Sequence, residues 1–132
     1  MGGRLEAITP IVPVSDLAVS RAFYEDLLGF ELRVEETDYD YIVVGRDGAG
    51  VGLVGGGDAA ALKATRNNIA AYVWVDDLRA LWAELQPRLA ELPEGRVRRP
   101  FVQEYGMREF HVKDPDGFLI FFGESVDKMG AN

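Results

Sequence analysis

Cysteine is absent from this chain of 132 residues, and histidine occurs once, as His111. The first absence excludes disulfides, thiolate metal sites and a cysteine nucleophile. No apolar run approaches the ~20 residues that a membrane-spanning helix needs, so no membrane partner is expected. The first residues, Met1 to Glu6, lack the apolar core of a secretion signal, and a cytoplasmic location is expected. Basic residues are also scarce, 14 against 22 acidic ones, for a net charge of −8. Phosphate backbones are bound by clustered Lys and Arg, so nucleic acid is not an expected partner. The same acidity keeps a protein in solution and favours cationic ligands. The one basic cluster, Arg96 to Pro100, reads as decoration of an edge strand or as a counterpart to the acidic surface across a dimer.

What the chain does contain is 48% hydrophobic and 27% charged residues, the balance of an ordinary globular domain. Its strongest pattern is a repeat. "ITPIVPVSDLAVSRAFYEDLLGF" reads as a strand running into a helix, and "IAAYVWVDDLRALWAELQPRL" repeats it 61 residues later, counted from Asp16 to Asp77. Both aspartates suit helix N-caps, where a carboxylate accepts a free backbone N–H and faces the positive end of the dipole. The first helix presents Leu17, Phe23, Tyr24, Leu27 and Leu28 on one side and ends at Gly29, a residue suited to a left-handed cap. The second presents Leu78, Leu81, Trp82 and Leu85 at helix-core spacing, and Pro87 is expected to end or kink it, with room for one more turn over Arg88 to Leu92.

Three strand-like segments follow each helix: "FELRVEE", "DYIVVGR" and "GVGLVG", then "GRVRRPFVQ", "REFHVKD" and "GFLIFFGE". The last pair of each set flanks an Asp-Gly turn, Asp47-Gly48 and Asp116-Gly117, 69 residues apart. The expected fold class is α+β: two tandem βαβββ modules forming a paired half-barrel with an open cleft. The first module spans 6–54 and the second 68–125, within one domain over 1–132. The Gly-rich stretch 55–67 lacks the Gly-Lys-Ser/Thr ending of a phosphate loop and reads as a linker with a helical turn or two across Asp58 to Thr65.

The segments "FYEDLLGFE" and "VKDPDGFLIFF", set in this doubled plan, resemble the vicinal oxygen chelate superfamily over roughly Ile8 to Glu124. That superfamily includes glyoxalase I, extradiol dioxygenases, fosfomycin-modifying enzymes and the bleomycin resistance proteins. "YVWVDDLRALWAEL" and "YGMREFHVKDPDG" are most similar to the drug-binding, bleomycin resistance branch. The resemblance implies a homodimer, in which strands and arms exchange between two chains to build two clefts. In the metal-bearing branches, ligands come from the first and fourth strands of each module. Carried onto this chain, those positions fall at Thr9, about Gly52, Ala70 and Phe121. They offer no imidazole or carboxylate, so no metal and no other cofactor is expected. His111, between Phe110 and Val112, reads as a surface or edge residue sharing a face with Glu109 and Lys113.

Strand alternation then lines the cleft. If Ala70 faces inward, so do Tyr72 and Trp74, while Ala71, Val73 and Val75 face the helices. Thr9, Ile11 and Pro13 line the first strand, Leu119 and Phe121 the last, and Tyr41 and Val43 the third. Tyr105 reaches in from its loop, and acidic Glu104, Glu109, Asp38 and Asp40 are expected to steer and hydrogen-bond a cation. The expected ligand-binding set is therefore Thr9, Ile11, Tyr41, Tyr72, Trp74, Tyr105, Glu109 and Phe121, with no catalytic residue. Aromatic walls suit planar ligands and cationic groups, and bleomycin, a cationic glycopeptide with a planar tail, fits that chemistry. The expectation is a metal-free protein sequestering a cationic, aromatic small molecule. The alternative is a glyoxalase- or dioxygenase-like enzyme acting on an unknown metabolite.

Overall fold

The structure is a computed structural model, and it describes residues 2–127. The chain divides into two compact units between Leu62 and Lys63. In the first, β1 (Ile11–Pro13) leads to α1 (Leu17–Ala22), followed by a π-helical turn over Phe23–Leu27. Then come β2 (Glu31–Glu36), a 3₁₀ turn (Thr37–Tyr39), β3 (Tyr41–Arg46) and β4 (Ala49–Val54). Helix α2 (Ala59–Thr65) occupies the segment read as a linker. The second unit continues with β5 (Ala70–Trp74), α3 (Leu78–Leu89), β6 (Val97–Val102), β7 (Met107–Lys113) and β8 (Leu119–Ser125).

Each unit carries one four-stranded sheet, in the order β1-β4-β3-β2 and β5-β8-β7-β6. The first strand of each pairs in parallel with the last, and the other neighbours are antiparallel. The α+β class and the repeated βαβββ plan are thus as the sequence indicates. The repeat extends to register: Ile11 lies opposite Gly52 as Tyr72 lies opposite Phe121. No helix among the described residues is long and apolar enough to cross a membrane.

Local chemistry explains where the helices begin and end. Asp16 accepts from the Val19 N–H at 3.1 Å and Asp77 from the Ala80 N–H at 3.1 Å, both as N-caps. Gly29 takes φ +73°, the left-handed geometry that closes the first helical stretch. In the second unit the Leu78 N–H also donates to the buried Glu124 carboxylate at 2.8 Å, tying the start of α3 to β8. Pro87 does not end α3, which runs on to Leu89. The acceptor that its ring deprives is the carbonyl of Ala83, an exposed residue where water can take the bond, and buried Leu85 and Leu89 hold the last turn down.

Each core lies between sheet and helix. In the first unit Val12, Val14, Ile42, Val44 and Leu53 are buried together with Phe23, Tyr24 and Leu28. In the second, Phe110 stacks on Phe122 (centroids 4.9 Å apart) and meets Trp82 of α3 at 5.0 Å, so Trp82 is a packing residue. Phe110 and Phe122 take one face of the sheet, and Glu109, His111 and Phe121 project to the other.

Candidate functional site

The open face of the second sheet is built around a carboxylate. Glu109, on β7, has no exposed surface. Burying an ion costs several kcal/mol unless donors replace its water. Four do so here. Oε1 accepts from His111 Nε2 at 2.8 Å and Gln103 Nε2 at 3.1 Å. Oε2 accepts from the Tyr72 hydroxyl at 2.8 Å and from the Tyr105 hydroxyl. Burial is the largest single influence on Glu109 and pushes its pKa up, but bonds from His111, Tyr105, Tyr72 and Gln103 together hold it below the usual value. Burial and donation to this anion push the Tyr72 phenol well above its ordinary value, and Tyr105 is raised for the same reasons. Both tyrosines therefore stay protonated and act as donors.

A ladder of flat groups crosses the sheet beside this carboxylate. On β6 the Arg98 guanidinium lies 3.6 Å over the Phe101 ring. Phe101 meets His111 edge-on at 5.1 Å, and His111 stacks on Phe121 with centroids 4.0 Å apart and planes at 18°. Phe121 meets Tyr72 at 5.9 Å, and Tyr72 meets Trp74 at 5.0 Å. Trp74 ends the row with 75% of its surface exposed. Register explains the order, since His111 lies opposite Arg98 on one side and Phe121 on the other, and Phe121 lies opposite Tyr72. Tyr72 reaches Glu109 by passing over Gly123, where a methyl group would run into its hydroxyl and lie 2.5 Å from its Cζ.

Of the residues expected to bind a ligand, Tyr72, Trp74, Tyr105, Glu109 and Phe121 come together here. The others belong to the first unit. Ile11 is 61% exposed on β1, Tyr41 on β3 leans over Gly52, and Thr9 lies just ahead of β1, exposed and beside Gly50. His111 is a correction. It is neither a surface nor an edge residue: β7 lies between β6 and β8, and Phe101, Phe121 and Glu109 leave the histidine 8% exposed. Phe101, Gln103 and Arg98 were not anticipated either. A signal for His111 was available, because the Asp-Pro-Asp-Gly turn sets Lys113 against Leu119, and two residues further on His111 against Phe121.

The positions that hold metal in related proteins do not fit one here. Thr9 offers a hydroxyl, Gly52 and Ala70 nothing, and the Phe121 ring is stacked on His111. Among the described residues no group of three or more His, Asp or Glu could hold an ion.

The chain belongs to the Glyoxalase/Bleomycin resistance protein/Dioxygenase superfamily, whose model matches residues 4–122. Among solved structures, the bleomycin-binding protein of bleomycin-producing Streptomyces verticillus, complexed with copper(II)-bleomycin, is similar with a TM-score of 0.73 and 23% identity. The match covers 92% of this chain and 97% of that one. A bleomycin resistance determinant encoded on the transposon Tn5 matches with a TM-score of 0.72 at 21% identity, over 92% and 98% of the two chains. Lactoylglutathione lyase from Agrobacterium tumefaciens matches with a TM-score of 0.65 at 21% identity, over 92% and 95%. At these identities the likeness is one of fold. Comparison with curated proteins gives no match.

Proposed function

We propose that this protein is a metal-free small-molecule binding protein of the bleomycin-resistance type, acting in the cytoplasm as a homodimer that sequesters a planar aromatic ligand with cationic groups. The observation that carries the reading is the ladder from Arg98 to Trp74, a row of ring contacts, one stacked and the others edge-on or tilted, ending in an indole open to solvent. Each aromatic contact with a planar ligand contributes about 0.5–1.5 kcal/mol beyond area burial, and a cation over the Trp74 face gains a similar amount. The Glu109 carboxylate already has four donors, so the ligand's positive charge is met by Trp74 and the acidic surface instead. Tryptophan fluorescence titration with bleomycin tests this: saturable quenching that survives dialysis against a chelator supports it. Unchanged emission at high micromolar drug would remove the assignment.

One observation favours a second reading, that of a metal-independent enzyme. Glu109 and His111 form a close acid–base pair, 2.8 Å apart, beside the ladder. Turnover of a metabolite panel without added metal, lost in His111→Phe, would select this reading.

A further inference from the structure

Glu109 and His111 also specify what a ligand must bring to the ladder, an inference that rests on the binding reading above. The carboxylate is held ionised and has no proton to give, so the 2.8 Å contact requires the proton on His111 Nε2. In the neutral ring this leaves a lone pair on Nδ1. No hydrogen-bond partner for Nδ1 exists among the described residues. Nor is the atom sealed away, because the one side-chain nitrogen or oxygen both buried and unpartnered among them is Ser20 Oγ. The ring cannot swing to find a partner. Phe121 stacks on its face, Phe101 abuts it edge-on and Glu109 holds Nε2. The side chain is 10% exposed, and the ring that carries this acceptor is fixed in direction.

We propose that His111 is the specificity-determining residue of the site: held in the Nε2–H form by Glu109, it presents Nδ1 as an acceptor and selects planar heteroaromatic ligands that donate a ring N–H or O–H. Nδ1 is the only lone-pair nitrogen in the ladder, since Arg98 and the Trp74 indole are donors and the other members carry no nitrogen. A ligand whose donor is methylated keeps its stacking surface but leaves Nδ1 without a bond and crowds it.

Calorimetric titration at about pH 9, where the pyridine nitrogen of a β-carboline carries no proton, with norharmane, whose one ring N–H is then at N9, and with 9-methylnorharmane separates the two contributions. Wild-type protein is expected to prefer norharmane by roughly fivefold to tenfold, the worth of one net hydrogen bond. His111→Phe keeps a flat ring in the stack and is expected to bind both compounds alike. Equal binding of the pair by wild type, or a preference surviving in His111→Phe, overturns the selection rule and leaves the binding reading intact. Binding of neither compound also overturns the selection rule, while the bleomycin titration decides the binding reading on its own. A measurement on unaltered protein needs no variant: as His111 is the only histidine, long-range ¹H–¹⁵N spectra report its tautomer without assignment. A protonated Nε2 with a bare Nδ1, shifting when norharmane is added, is expected. The opposite tautomer, or an Nδ1 signal that norharmane leaves unmoved, would sink the proposal.

Discussion

Glu109 is an ion without exposed surface whose water is replaced by four hydrogen-bond donors, and its titration should show in stability. Its folded pKa is depressed, so its contribution is complete above the ordinary value of 4.5 and is lost as pH falls from there through the lower folded value. Tyr72 works in the opposite sense. Its pKa is raised, so its contribution is complete below 10.0 and declines as pH climbs from that value toward the folded one. The melting temperature should therefore fall below pH 4.5 and above pH 10, and Glu109→Gln should flatten the acid limb and Tyr72→Phe the alkaline one. A variant profile parallel to wild type would count against these roles. Gly123→Ala tests the same cluster by volume. The added methyl forces the Tyr72 ring off Glu109, with an expected loss of about 1–3 kcal/mol in denaturant unfolding, whereas Gly123→Ala in a Tyr72→Ala background should cost much less.

At the scale of elements, much was legible from spacing. The Asp-Leu starts gave both capped helices, and Asp77→Ala should cost about 1 kcal/mol by chemical denaturation because the Ala80 N–H loses its acceptor. Period-two alternation placed Tyr72, Trp74 and Phe121 on one face because side chains of a strand cannot do otherwise. What alternation within a strand does not carry is which strands flank it. His111 therefore read as a surface group, although β6 and β8 enclose it on both sides. Gln103 and Tyr105 reach Glu109 from the turn before β7, closed by the Gly106 N–H to the Gln103 carbonyl, and such loop geometry has no periodic signature. Pro87 misleads for a related reason. The cost of a proline depends on whether the orphaned carbonyl meets water, and at an exposed final turn it does.

For the whole molecule, the proposed homodimer predicts a sedimentation mass of twice the 14.6 kDa chain at micromolar concentration, and a monomer at that concentration would remove it. The parallel pairing of β5 with β8 has a further consequence, for the order of assembly. β7 and β8 are joined by a short turn and close cheaply, whereas Tyr72 comes from a strand that meets Glu109 across 37 residues of chain. Until β5 docks, the carboxylate keeps its water and lacks one of its phenols. The Glu109 cluster is therefore expected to be the last part of its unit to mature during folding and the first to loosen, and amide exchange in β5 should outpace that in β7.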